Sequence, residues 1–153
     1  MLDVFLDYVE KGARIVRLDA IAYLWKEDGH PRLHHPRTHA VVKLFRAVVD
    51  ALGLDVRLLS ETNVPHRENV SYFGAGDEAH MVYNFALPPL TIHAFAAGDA
   101  AAFRVGRGSP HTPGCVFLNF LASHDGIGLT PPGGSWTRGP SERPLPLRLE
   151  GAA

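Results

Sequence analysis

The pattern of apolar positions along the chain predicts two amphipathic helices in its first third. Apolar side chains three or four residues apart form one face of each helix. The first face consists of Leu2, Phe5, Leu6 and Val9, and the second consists of Val41, Leu44, Phe45, Val48 and Leu52. Gly12 follows the first face, and Gly53 follows the second, which we expect over residues 38–52. Glycine commonly ends a helix, so both boundaries have a physical basis.

Four short apolar runs predict β-strands, and breaker-rich segments between them predict long loops. The strands are expected at 14–19, 56–60, 81–86 and 115–122, and loops are expected at 23–37, after Ser60, and at 104–113. Pro88 and Pro89 predict a further helix that begins near Leu90. The order helix, strand, helix, strand, strand, helix, strand predicts an α/β fold with a mainly parallel sheet. A helix between the second and third strands is missing from this pattern, or a loop replaces it.

A carboxylate follows three of the four predicted strands. These residues are Asp19, Glu61 and Asp125, which are 42 and 64 residues apart in sequence. In a parallel α/β barrel the carboxyl ends of all strands open onto one face, and one βα unit takes roughly 31 residues if about 250 residues are divided by eight. The three acids are therefore expected to converge, as in a glycosidase, although any one alone also fits a solvated residue at a strand end.

Composition narrows the class of protein. With 153 residues, 46% hydrophobic and 20% charged, the chain is long and apolar enough for one folded domain. A formal net charge of −1 gives no electrostatic basis for binding nucleic acid or a membrane surface. Cys115 is the single cysteine, which excludes an internal disulfide, fits a cytoplasmic protein, and predicts a small buried residue and not a nucleophile.

Three ordered motifs resemble the α-amylase superfamily of glycoside-active enzymes. They are GARIVRLDA at 12–20, SETNVPH at 60–66 and FLASHDGIG at 120–128. The sucrose-phosphorylase branch of this superfamily is similar in two further segments, YNFALPPL at 83–90 and residues 123–128. Glucosylglycerate phosphorylases and related sugar phosphorylases look closer in two others, residues 61–66 and YFG at 72–74.

The resemblance covers residues 1–128 and implies a fragment of a (β/α)8 TIM barrel, about strands 4 to 7, as a partial catalytic domain. The family's first conserved segment, an Asn-His pair, has no counterpart. Residues 129–153, with five prolines and four glycines, depart from the family pattern. We expect them to form a disordered or non-family tail, arising from a shifted reading frame or a chain end of low quality.

The resemblance also assigns roles to five residues. It implies that Asp19 is the nucleophile, Glu61 the general acid/base, and Asp125 the carboxylate that binds sugar hydroxyls and stabilises the transition state. Arg17 would keep Asp19 ionised, and His124 would hydrogen-bond the sugar beside Asp125.

Several other residues near these motifs have two interpretations. Tyr23 either lines the sugar pocket or packs as an ordinary aromatic, and His66 either binds the acceptor or phosphate or is a structural loop histidine. The histidines at 30, 34, 35 and 39 match no zinc spacing, so we expect a solvated or substrate-facing loop and no metal site.

The function implied is that of a retaining α-glucoside phosphorylase. A glucosyl unit would pass through a covalent glucosyl-aspartate to inorganic phosphate as co-substrate, with no cofactor, no nucleic acid and no membrane partner. A hydrolase or transglucosidase of the same superfamily is one alternative. A truncated, inactive fragment that lacks much of the sugar pocket is another.

Overall fold

The computed structural model of the chain describes residues 1–30, 32–101 and 112–127. The tail predicted for 129–153 and most of the loop predicted for 104–113 lie outside these residues. Four strands form a single parallel sheet in which spatial order follows sequence order. They are β1 (Ile15–Leu18), β2 (Arg57–Ser60), β3 (Met81–Tyr83) and β4 (Val116–Leu118). The prediction of an α/β fold with a parallel sheet is therefore confirmed.

Four helices with described bounds connect and flank these strands. They are α1 (Leu2–Glu10), α2 (Pro36–Ala51), α3 (His66–Ser71) and α4 (Leu87–Ala97), with a short 3-10 turn at Ile21–Tyr23. Within the described part of the chain, no helix is long and apolar enough to cross a membrane.

The N-terminus of α2 lies two residues earlier than predicted because of a cap that the apolar pattern does not reveal. Nδ1 of His35 accepts a hydrogen bond from the backbone N–H of Arg37 at 3.1 Å. Pro36 then occupies the first turn, where its missing N–H costs nothing. The same preference explains α4, which begins at Leu87 and not near Leu90 because two prolines fit into its first turn.

The segment after Ser60 contains a short helix, α3, where only a loop was predicted. Polar contacts hold it in place. Thr62 Oγ1 donates to Asn69 Oδ1 at 2.6 Å, and Asn69 Nδ2 donates to the backbone oxygen of Tyr83 at 2.8 Å. Because Asn69 is buried and links this helix to the end of β3, the segment needs no apolar periodicity to fold.

The last two strands are shorter than predicted, and pairing explains why. β3 pairs with β4 only as far as Tyr83 opposite Leu118. One further bond follows, from the N–H of Asn84 to the carbonyl of Leu118 at 3.0 Å, and α4 begins three residues later. Asp125 therefore lies seven residues beyond β4 and not at the strand end.

The buried side chains form two clusters that meet at Val16. In one of them Phe5 of α1 packs on Phe45 of α2, with ring centroids 5.2 Å apart. In the other, Cys115 is buried and its thiol lies 3.7 Å from the carbonyl oxygen of Ala79. Cys115 is 4% exposed, so the prediction of a small buried residue is confirmed, and this burial raises the pKa of its thiol.

The outer strands β1 and β4 each pair on one side only among the described residues. Ile15 of β1 and Val116 of β4 are half exposed, and Phe95 on α4 is 86% exposed. Open strand edges beside apolar side chains favour association with other chains.

We therefore predict that the 153-residue polypeptide, expressed alone, associates or remains loosely packed. Size-exclusion chromatography with light scattering should show polydisperse species, and a dye such as ANS should bind strongly. A monodisperse monomer with one cooperative unfolding transition would contradict this prediction.

Candidate functional site

The side chain of Arg17 joins two carboxylates at the carboxyl edge of the sheet. Its Nη1 donates to Oδ1 of Asp19 at 2.7 Å, and its Nη2 lies 2.6 Å from Oε1 of Glu61. Asp19 directly follows β1 and Glu61 directly follows β2. Because these strands are neighbours, with Leu18 opposite Ser60, the sheet places the two acids side by side. One guanidinium group spans them.

The second oxygen of Glu61 is also held. Oε2 accepts a hydrogen bond from the backbone N–H of Ala20 at 3.0 Å. Ala20 has a φ of 43°, in the left-handed region that costs a residue other than glycine about 1–2 kcal/mol. Both carboxylate oxygens of Glu61 thus have a donor, and its side chain is fixed in one orientation. The Ala20 contact was not foreseen from the sequence.

The two acids differ in exposure. The Glu61 side chain is 16% exposed, whereas the Asp19 side chain is 75% exposed and open to a ligand. Burial alone would lower the pKa of the Arg17 guanidinium, but the charge and hydrogen bond of Glu61, with smaller effects of Tyr83 and Asp19, raise it. Arg17 is therefore a permanent cation between the acids.

An aromatic side chain lies beside the Arg17 guanidinium. Cζ of Arg17 is 5.8 Å from the centroid of the Tyr83 ring, within range of a cation–π contact. The Tyr83 ring also packs against Phe85 and Phe120, with 5.4 Å between centroids in each pair. Tyr83 was not among the site residues predicted from the sequence. Its position as the last residue of β3, on the same edge as Asp19 and Glu61, is the signal that could have found it.

Asp125 and His124 lie in a tight turn beyond β4. Ser123 and Gly126 bond to each other through both backbone pairs, and the N–H of Asp125 donates to Ser123 Oγ at 3.2 Å. His124 Nε2 is 3.3 Å from Asp125 Oδ2, and both side chains are more than two-thirds exposed. Within the described residues, neither has a hydrogen bond or ion pair with Arg17, Asp19 or Glu61. The convergence of all three acids stays a prediction.

Tyr23 and His66 lie on the loops that leave β1 and β2. Tyr23 ends the 3-10 turn that follows Asp19 and is 52% exposed. His66 begins α3, and its ring stacks on Phe117 with centroids 5.8 Å apart. Both residues therefore lie on segments that start at the carboxyl edge, and their roles stay predictions.

The histidines between β1 and the first turns of α2 are more structural than predicted. His34 Nδ1 lies 3.1 Å from the hydroxyl of Tyr72, and burial lowers the pKa of this histidine. His39 Nδ1 lies 2.8 Å from Oε2 of the buried Glu78, and its ring stacks on Tyr72. His35 is buried as the cap of α2. The expectation of a solvated or substrate-facing loop is wrong for His35.

Glu27, His30 and His35 present one possible ligand atom each, all within 4.8 Å of one another. The chemistry of His35 argues against a metal there. Its Nδ1 accepts the N–H of Arg37, so the neutral ring carries its proton on Nε2, the atom 3.5 Å from Glu27. A metal on Nε2 would require that proton to move to Nδ1, which would break the cap of α2. Arg37 also places a guanidinium nitrogen 3.5 Å from the same Glu27 oxygen.

Comparison with known proteins identifies clear relatives, although no family model matches the chain. It is 58% identical over 133 residues to the glucosylglycerate phosphorylase of Spirochaeta thermophila, which covers 86% of this chain and 23% of that protein. It is 48% identical over 134 residues to the Escherichia coli glucosylglycerate phosphorylase, covering 86% and 24%. A trehalose synthase of Thermus thermophilus is 34% identical over 131 residues, covering 82% and 13%.

A solved structure shows the same fold. The sucrose 6F-phosphate phosphorylase of Thermoanaerobacter thermosaccharolyticum matches with a TM-score of 0.68 at 24% identity, over 86% of this chain and 25% of that one. The four-stranded parallel sheet thus corresponds to a fragment of a TIM barrel. The chain spans about a quarter of the length of the phosphorylases it matches.

Proposed function

We propose that this chain, which is homologous to about a quarter of the glucosylglycerate phosphorylases, carries the two catalytic carboxylates of a retaining α-glucoside phosphorylase. The proposal rests on one observation. The guanidinium of Arg17 contacts both Asp19 and Glu61. The Spirochaeta enzyme is 58% identical over 133 residues, which is 86% of this chain. The name of that relative favours an α-glucoside of glycerate as the substrate.

The first half of the proposed reaction forms a covalent intermediate. The exposed carboxylate of Asp19 attacks the anomeric carbon, and the bond from that carbon to the leaving oxygen breaks. Glu61 donates a proton to the leaving oxygen, and the glucosyl unit becomes an ester of Asp19. Retaining enzymes hold the two carboxyl groups about 5–5.5 Å apart, and a shared guanidinium keeps these two close.

The second half transfers the glucosyl unit to phosphate. A phosphate oxygen attacks the anomeric carbon, the ester bond to Asp19 breaks, and Glu61 accepts the proton it needs for the next cycle. Two inversions retain the α configuration, so the product is α-glucose 1-phosphate. We further propose that Asp125 and His124 bind sugar hydroxyls, while Tyr23 lines the sugar pocket and His66 contacts the acceptor or phosphate.

Arg17 serves both halves. Its contact with Asp19 holds the nucleophile in place, and its contact with Glu61 sets the orientation of the carboxyl group that delivers the proton. A transglucosidase is the second candidate, because the Thermus thermophilus trehalose synthase is also similar. The identity of 34% to that protein, against 58% to the phosphorylase, favours phosphorolysis.

A chimera provides the test, with residues 1–127 of this chain in place of the matching segment of the Spirochaeta phosphorylase. We predict that the chimera forms glucose 1-phosphate from glucosylglycerate and phosphate. Asp19→Ala should lower turnover by about 10⁴-fold or more because no covalent intermediate forms. Asp3→Ala, which changes an exposed acid on α1, is the control. An Asp19→Ala variant that retains the rate of the chimera would refute the proposal.

We predict a different signature for Glu61→Gln. Loss of a positioned proton donor costs about 10²–10⁴-fold with glucosylglycerate, whose leaving group needs protonation. The loss should be much smaller with α-glucosyl fluoride, whose leaving group departs without a proton. Initial rates of both substrates are compared with those of Glu10→Gln, which changes an exposed acid at the end of α1. Equal losses for the two substrates would contradict the role of Glu61 as the acid.

A further inference from the structure

We propose that Tyr83 is a positioning residue that fixes the Arg17 guanidinium between Asp19 and Glu61. This inference rests on the proposed function and deepens it. Tyr83 touches neither carboxylate in the contacts described above, and its ring lies against the cation that both carboxylates share.

Arg17 needs a third support because its two ion pairs leave the guanidinium incompletely held. Nη1 and Nη2 contact the acids, whereas Nε is buried and has no hydrogen-bond partner in the part of the chain that the structure describes. An arginine side chain has several rotatable bonds. With no hydrogen bond at Nε, another contact must fix the orientation and position of the guanidinium plane. The ring of Tyr83 provides that contact.

The contact crosses the sheet. Arg17 is on β1 and Tyr83 is on β3, with β2 between them. Tyr83 is the last residue of β3, so its ring reaches Arg17 at the carboxyl edge where Asp19 and Glu61 lie. A single aromatic side chain thereby links β3 to β1 across β2.

Tyr83 is itself rigidly held. Phe85 stacks on its ring at an interplanar angle of 27°, and Phe120 meets it edge-on at 85°. On the backbone, Asn69 Nδ2 donates to the carbonyl oxygen of Tyr83 at 2.8 Å. A ring fixed on two sides can hold a mobile cation in place, which a flexible aliphatic side chain cannot do.

The described contact is with the ring face, because Cζ of Arg17 lies over the Tyr83 ring. Among the described residues, the Tyr83 hydroxyl has no hydrogen-bond partner. A phenylalanine ring can also interact with a cation through its quadrupole. Phenylalanine at position 83 should therefore preserve the function, and leucine or methionine should not.

The experiment compares Tyr83→Leu and Tyr83→Met with Tyr83→Phe in the Spirochaeta chimera. The two aliphatic variants should lower kcat by about 10- to 100-fold, with KM little changed, because a small displacement of a positioning group is enough for such a loss. Tyr83→Phe should rescue the rate. Two aliphatic replacements of different shape are used so that one folding failure does not remove the test.

The kcat of the folded fraction supplies a readout that a merely structural role would not move. Rates are divided by the concentration of folded enzyme, measured by circular dichroism at the assay temperature, so the loss in kcat that remains comes from the misplaced guanidinium. Phe5→Leu is the control, because Phe5 packs on Phe45 between α1 and α2 and makes no contact with Tyr83 or Arg17. It should lower thermal stability and leave the kcat of the folded enzyme unchanged.

A double-mutant cycle tests whether Tyr83 acts through Arg17. In an Arg17→Lys background, Tyr83→Leu should cause little further loss, since coupled residues are not additive. Full additivity would overturn the inference, and so would equal kcat values for Tyr83→Leu and Tyr83→Phe. If any of these contradicting results occurs while Asp19→Ala is inactive, only the role proposed for Tyr83 is refuted. If Asp19→Ala stays active, the proposed function and this inference both fall.

Discussion

The contact of Arg17 with both Asp19 and Glu61 is the interaction on which the candidate site depends. It exists because β1 and β2 are parallel neighbours that end at the same level, with Leu18 opposite Ser60. A register shift of one residue would turn Arg17 to the other face of the sheet and separate the two acids. The chemistry proposed for this chain therefore depends on sheet register as much as on the identity of the acids.

Polar contacts secure the loops around that pair. Thr62 and Asn69 hold α3 against the end of β3, and His39 holds the buried Glu78 beside α2. These contacts lie on the connections that leave β1 and β2, whereas the apolar clusters are formed mainly by side chains of the strands and helices. This arrangement is typical of α/β proteins. Apolar packing stabilises the sheet and its helices, and short polar contacts hold the loops that carry function.

The apolar pattern predicted the parallel sheet, α1 and the body of α2, because a face repeated over several turns is a strong signal. It missed α3, since Thr62 and Asn69 stabilise that helix through hydrogen bonds. It also extended β4 too far, because the end of a strand depends on where its partner ends. The neighbourhood of Arg17, Asp19 and Glu61 followed from strand ends together with a family resemblance. The strand-end position of Tyr83 indicates the edge on which it lies, but its contact with Arg17 crosses β2, and the sequence does not reveal that partner.

The most direct test of the account is the identity of the residue that forms the covalent intermediate. A chimera with the Spirochaeta phosphorylase that carries Glu61→Gln can be treated with a 2-deoxy-2-fluoro-α-glucosyl fluoride, which forms the glycosyl ester readily and releases it slowly. Peptide mass spectrometry then locates the adduct. The account predicts a single fluoroglucosyl ester on Asp19, absent from Asp19→Ala. An ester on Asp125 or any other residue, or turnover with no ester, would contradict it.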